Sequence, residues 1–138
     1  PGTFRGRGCR YRERTGIGTM FIRRLDDCPE FIAGDNSILR ELLHPDKADL
    51  DLRYSFARAI VRPAQTTLPH RLRTSEVYYI LSGEGEMHIN EEAAVVRPGD
   101  AVYIPPHARQ FIRNPGSSDL VFICIVDPAW RKEDEEVV

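Results

Sequence analysis

Apolar and polar residues alternate over short segments along most of this chain, and turn-forming residues separate the segments. Residues 54–62 alternate in this way and end at a Pro-Ala-Gln turn. Residues 76–81 and 86–89 flank the sequence Ser-Gly-Glu-Gly, a tight connection that needs glycine backbone torsions. Because an alternation of period two places every second side chain on one face, these segments are predicted to be half-buried β-strands.

The same pattern extends over residues 20–130 and predicts about eight strands. The candidate segments are 20–25, 37–43, 54–62, 76–81, 86–89, 93–97, 101–104, 109–113 and 120–126. Residues 37–43 could form either a strand or a single helical turn, and no segment has the period of a long helix. Short strands at regular spacing, with turns between them, predict one all-β domain built as a sandwich or a barrel.

Composition narrows the class of protein further. The chain has 138 residues, of which 41% are hydrophobic, and this is enough for one core. A formal net charge of −2 argues against a nucleic-acid partner, and no apolar run is long enough to span a membrane. The cysteines, Cys9, Cys28 and Cys124, are too scattered for a disulfide framework and indicate a reducing compartment. We therefore expect a cytoplasmic protein.

The two ends of the chain differ from its middle. Residues 1–19 hold five arginines and five glycines against one glutamate and lack the apolar centre of a secretory signal, so export is not expected. They are predicted to be a disordered basic arm that contacts a phosphate-rich partner, or else an upstream extension produced by a misplaced start before Met20. Residues 20–130 are the predicted domain, and residues 131–138 are predicted to be a solvated, charged C-terminal tail.

Strand alternation also indicates which polar residues share a face. His70 and Leu72 lie on one face of their segment, and Glu76 and Tyr78 lie on one face of the next. If these faces and that of Gln110 line one interior, an imidazole, a carboxylate and an amide oxygen converge. Such a set could hold a divalent metal whose coordination is completed by waters or substrate. The alternative is that Glu76 only accepts a hydrogen bond from His70.

These residues also carry a resemblance to a known family. Residues 63–83, with His70, Glu76 and Gly83, resemble the first cupin motif, G-x5-H-x-H-x3-E-x6-G. Residues 99–114 resemble the second, G-x5-P-x-G-x2-H-x3-N, without a gap. The resemblance implies a cupin-type double-stranded β-helix, a jelly-roll barrel of two antiparallel sheets. It also implies a homodimer formed through N-terminal strands and edge contacts.

Several positions depart from the cupin motifs. Ala64 and His107 stand at glycine positions, while Leu72 and Gln110 stand where the family has histidines. The ligands that remain from the family pattern are a histidine and a glutamate, so any bound zinc, nickel, manganese or iron would be weakly held. Parity places His107 at the rim, although a local rearrangement could bring it into the site.

The resemblance leaves the reaction unassigned, because cupins include dioxygenases, isomerases, decarboxylases and lyases. We expect a barrel pocket that binds a small molecule and is lined by Leu72, Tyr78, Tyr103 and Ile112. In one hypothesis His70, Glu76 and Gln110 hold a divalent metal there and the protein is an enzyme. In the alternative the protein is a metal-free ligand-binding or scaffold cupin without catalytic activity.

Overall fold

Eleven strands and two short 3-10 helices make up the regular structure in a computed structural model that describes residues 19–138. The strands are β1 Phe31–Ile32, β2 Ile38–Leu43, β3 Ser55–Val61, β4 His70–Leu72, β5 Ser75–Ser82, β6 Gly85–Ile89, β7 Glu92–Val96, β8 Ala101–Ile104, β9 Gln110–Arg113, β10 Leu120–Asp127 and β11 Glu135–Val137. The 3-10 helices are Leu25–Asp27 and Lys132–Asp134. Within this part of the chain no helix is long and apolar enough to cross a membrane. The predicted basic arm lies outside the described residues, apart from Thr19.

The strands form two antiparallel sheets. One sheet has six strands in the order β1-β2-β3-β10-β5-β8, and the other has five in the order β11-β4-β9-β6-β7. Strands distant in sequence lie side by side, since β10 pairs with both β3 and β5. This arrangement confirms the predicted all-β class and the prediction of two antiparallel sheets.

The core lies between the two sheets, because each long strand turns alternate residues inward. β3 and β10 both alternate strictly between buried and half-buried positions. Ile80 of β5, Ile112 of β9 and Phe122 of β10 are among the most deeply buried side chains of the described core. The Phe122 ring packs on that of Tyr78, with ring centroids 4.4 Å apart. The alternation of apolar residues in the sequence therefore corresponds to the side chains that point into this core.

The strand prediction was wrong at the start of the domain. Residues 20–24 form no strand, and Met20 and Ile22 are 78% and 64% exposed. Alternation alone does not supply the partner strand that a β-strand requires. For residues 37–43 the sequence allowed either a strand or a helical turn. In the structure Ile38–Leu43 form the strand β2, in which Ile38 pairs with Ile60 of β3.

The prediction of an unpacked C-terminal tail was wrong for Glu135–Val137. These residues form β11, and Glu135 pairs with Leu72 while Val137 pairs with His70. β11 and β4 are each three residues long, too short for their alternation to be recognised. Their pairing brings the end of the chain beside the predicted site.

Candidate small-molecule pocket

A cavity of about 250 Å³ lies between the sheets, beside the core. Much of its wall is apolar, and this part is formed by Leu39, Ala57, Leu72, Tyr78, Val126 and Trp130. Its polar groups include Asp35, His70, Glu76 and Glu135, which come from a loop and from strands β4, β5 and β11. An apolar enclosure with a few convergent polar groups is the usual form of a small-molecule site.

His70 occupies the start of β4 and is only 3% exposed. Its Nδ1 lies 2.8 Å from the carbonyl oxygen of Leu68. Because a carbonyl oxygen can only accept, Nδ1 is the protonated nitrogen and donates this bond. The other ring nitrogen, Nε2, lies 4.0 Å from Oδ2 of Asp35, and both residues line the cavity.

Asp35 lies in the turn between β1 and β2 and is 7% exposed. Its Oδ1 accepts hydrogen bonds from the backbone N–H of Ser37 at 3.0 Å and from the Ser37 hydroxyl at 2.6 Å. These bonds fix the carboxylate and leave Oδ2 directed toward His70. The Asp-Asn-Ser sequence is typical of such a turn. However, nothing in it indicates contact with a histidine 35 positions away.

Glu76 is the most perturbed acid of the site. It lies on β5, is 6% exposed, and its Oε1 has no hydrogen-bond partner among the described residues. Burial raises the pKa of this carboxyl to about 8, and the charge of Asp35 adds to the rise. A hydrogen bond from Gln110 acts in the opposite direction. At neutral pH the carboxyl therefore mostly keeps its proton.

Gln110 connects two pocket residues but does not itself line the cavity. It pairs with His70 across β4 and β9 and is 1% exposed. Its amide oxygen accepts a hydrogen bond from the Tyr78 hydroxyl at 3.2 Å. Burial raises the pKa of the Tyr78 phenol well above its ordinary value, so this hydroxyl remains a donor.

Glu135 brings a third carboxyl to the cavity from the C-terminal strand. Burial raises its pKa, a rise that the charge of His70 opposes and that of Asp35 reinforces. The loop before Asp35 passes close to this carboxyl, since a Cβ added to Gly34 would lie 2.9 Å from Oε2 of Glu135. Glu135 was not among the predicted site residues, because it lies in the segment predicted to be a solvated tail.

The donors present do not fit a three-ligand metal centre. Among residues 19–138 no group of three or more His, Cys, Asp or Glu side chains is spaced to hold a metal ion. Of the predicted ligands, His70 and Glu76 face the cavity, but the amide oxygen of Gln110 already accepts the Tyr78 bond. Two protein donors are fewer than the three that catalytic zinc sites use.

The predicted pocket residues are only partly brought together. Leu72 and Tyr78 line the cavity, whereas Tyr103 and Ile112 do not. Tyr103 pairs with Val77 of β5, lies on the outer face of β8 and is 63% exposed. Every second side chain of β8 points inward, and Tyr103 is not one of these. Ile112 is fully buried in the neighbouring core. His107 is exposed and outside the cavity lining, where strand parity placed it.

Comparison with known proteins agrees with this architecture. Residues 57–126 match the family described as "Cupin domain". The chain is 40% identical to an uncharacterized protein of Methanocaldococcus jannaschii, over 82% of this chain and 90% of that one. It is 32% identical to the oxalate-binding protein of Thermotoga maritima, over 83% and 97%. A cupin 2 conserved barrel domain protein from Salinispora arenicola superposes with a TM-score of 0.69 at 20% identity, covering 84% of this chain and 92% of that one.

Proposed function

This chain belongs to the cupin family, and from that premise we propose that its cavity is the binding site of a small organic molecule. One observation carries the proposal: Glu76 lines the cavity, and its buried Oε1 has no hydrogen-bond partner among the described residues. Buried polar atoms in folded proteins are nearly always hydrogen-bonded, and leaving one unpaired costs about 1–3 kcal/mol. A bound ligand would supply the missing partner.

The size of the cavity supports a ligand of metabolite size. Its volume of about 250 Å³ lies just below the range of roughly 300–1,000 Å³ that drug-sized ligands occupy. Leu72 and Val126 offer apolar contacts, while His70 and Glu76 offer polar ones. We assign binding, and no reaction, to this cavity.

We propose that this binding does not depend on a metal. His70 and Glu76 alone do not complete a coordination sphere, and Gln110 is engaged with Tyr78. Elemental analysis of protein purified without a histidine tag or chelator, with His70→Ala beside it, tests this part. Substoichiometric zinc, nickel, manganese and iron, equal in both proteins, is the expected result. Near-stoichiometric metal that disappears in His70→Ala would restore the predicted metal site.

The relative named oxalate-binding protein raises a dicarboxylate as a candidate ligand for this chain. The lining argues against it, because its polar groups include the carboxyls of Asp35, Glu76 and Glu135 and none of the described lysines or arginines. A dianion buried without a cationic partner is costly. Oxalate is therefore a useful negative probe for this cavity.

A cavity-filling variant tests the binding proposal. Ala57 lines the cavity, so Ala57→Leu should reduce its volume, and Ala94→Leu on the exposed face of β7 is the matched control. We expect members of a mixed-charge fragment library to shift the amide NMR signals of His70 and Glu76 in the wild type and in the control, but not in Ala57→Leu. Leu72→Phe fills the cavity from the opposite sheet if Ala57→Leu fails to fold. If no fragment of the library shifts the amide NMR signals of the cavity residues in the wild type, the proposal is refuted.

We also propose a homodimer that forms in a reducing compartment, the cytoplasm. Part of the outer face of the six-stranded sheet is apolar: Tyr79, Leu81 and Tyr103 are 44%, 45% and 63% exposed. Such clustered exposure is typical of protein interfaces. Buried free thiols at Cys28 and Cys124 support the compartment.

A further inference from the structure

The polar part of the cavity lining is rich in acceptors and poor in cations. The carboxyl groups of Asp35, Glu76 and Glu135 line it together with His70. No lysine or arginine of the described residues does so. A fourth lining carboxyl, that of Glu41, is already paired with Lys47.

The donors that reach this lining are already engaged within the protein. The Ser37 hydroxyl donates to Asp35, and the Tyr78 hydroxyl donates to Gln110. Nδ1 of His70 donates to the carbonyl of Leu68. A ligand that brings its own N–H donors can therefore bind the carboxyl oxygens of the lining.

The unsatisfied atoms are carboxyl oxygens. Oε1 of Glu76 has no hydrogen-bond partner among residues 19–138, although Glu76 is only 6% exposed. Oδ2 of Asp35 lies 4.0 Å from His70, too far for a hydrogen bond. An ammonium or amidinium group supplies several donors and a positive charge to such oxygens at once.

We infer that the ligand of this cavity is a small organic cation whose amine or amidine nitrogen binds among Asp35, Glu76 and Glu135. The inference rests on the proposed binding function and names the chemical class of its ligand. Phe31, Tyr78 and Trp130 also line the cavity, and aromatic rings attract cations by about 0.5–2 kcal/mol. The apolar wall accommodates the hydrocarbon part of the same molecule.

Probes of one shape and three charge states test the inference. Benzylamine and benzamidine are cations, benzyl alcohol is neutral, and benzoate is an anion; oxalate serves as a second anion. Each is titrated into the full chain at neutral pH while amide NMR signals of the cavity strands are followed. We expect benzylamine or benzamidine to bind at least tenfold more tightly than benzyl alcohol, and the two anions not to bind.

Conservative variants separate the carboxyl groups from general surface charge. Asp35→Asn and Glu135→Gln should each weaken cation binding at least fivefold while leaving benzyl alcohol binding unchanged. Glu136→Gln, at the exposed neighbour on β11, is the matched control and should change neither. Circular dichroism and thermal unfolding verify that the variants fold.

The outcomes distinguish this inference from the binding proposal. If benzyl alcohol or benzoate binds the cavity as tightly as the cations, the cavity is a binding site but the inferred ligand class is wrong. Cation binding that is unchanged in both carboxyl variants also overturns the inference. If the fragment library shifts cavity signals while neither cation does, the inference alone fails. Absence of any cavity binding refutes both.

Discussion

Glu76 is a buried carboxyl group whose pKa changes when the protein folds. Its folded pKa of about 8 lies above the ordinary value of 4.5, so the folded state binds more protons than the unfolded state between these values. A carboxyl group whose pKa is raised by folding contributes to the free energy of unfolding. This contribution is complete below pH 4.5 and is lost as the pH rises through 8. The charged or polar groups that face it are Asp35, Glu135, Gln110 and Tyr78.

We therefore expect wild-type stability to fall between pH 5 and pH 8 relative to Glu76→Gln, which cannot ionise. The limiting slope for one proton is about 1.4 kcal/mol per pH unit. Urea unfolding of both proteins at several pH values measures the difference. Parallel stability curves for the two proteins would show that Glu76 is ionised at neutral pH or does not titrate as a buried acid.

Ala64 is a second residue whose conformation has an energetic cost. It adopts a φ of 63°, in the left-handed region that glycine occupies readily, at the position where the cupin motif has glycine. Its backbone N–H nevertheless donates to the carbonyl of Asn114 at 2.9 Å, so the turn is kept. A Cβ in this region costs about 1–2 kcal/mol, partly offset by the greater flexibility of glycine in the unfolded chain.

Ala64→Gly is accordingly expected to stabilise the fold by about 0.5–1 kcal/mol. Ala94→Gly, in the exposed β7 strand, has no such strain to relieve and should destabilise it instead. Chemical denaturation of the two variants beside the wild type measures both changes. A loss of stability in Ala64→Gly equal to that in Ala94→Gly would contradict this account of the turn.

At the scale of the element, β11 determines whether the pocket is complete. It pairs with β4 at the edge of the five-stranded sheet and positions Glu135 against the cavity. The backbone N–H of Val138 donates to the carbonyl of Pro69 at 2.9 Å, which extends this pairing to the residue before His70. The C-terminal strand therefore supports the strand that carries His70.

Deletion of residues 135–138 should expose β4 and remove one carboxyl from the pocket. We expect a loss of about 1–3 kcal/mol in the free energy of unfolding, together with faster amide exchange at Arg71. Hydrogen exchange and denaturation measure these effects, with Glu136→Ala as the control that keeps the strand. Unchanged exchange at β4 after the deletion would show that β11 does not protect it.

The outer face of the six-stranded sheet exposes several large apolar side chains to the surroundings of the protein. Tyr79 and Tyr103 are diagonal neighbours on β5 and β8, and the half-buried Ile123 and Ile125 of β10 continue the same apolar face. β8 is also the edge strand of its sheet. A second copy placed on this face would bury these side chains.

Tyr103→Glu should shift the proposed dimer toward monomer, because it places a charge within the proposed buried surface. Sedimentation velocity over a concentration range compares it with Arg109→Glu, a charge change outside this face. We expect Tyr103→Glu to weaken the association of the dimer at least tenfold. Arg109→Glu should leave this association unchanged. A wild type that remains monomeric at high concentration would refute the dimer.

Some of the candidate site could be predicted from the sequence because it depends on local alternation. His70 and Leu72, and likewise Glu76 and Tyr78, lie two residues apart on strands, and each pair lines the cavity. Tyr103 could not be assigned in this way, since alternation separates two faces without saying which one is inside. Ile112 points inward but packs in the core beside the cavity.

The all-β class, the positions of most long strands and the cupin motifs can be recognised in the sequence, because alternation, turn residues and motif spacing each involve a few neighbouring positions. The composition of the pocket depends instead on how the two sheets assemble. Asp35 and Glu135 lie 100 residues apart in sequence and reach His70 through a turn and a three-residue strand. Their convergence follows from long-range strand pairing, for which no short segment of sequence carries a signal.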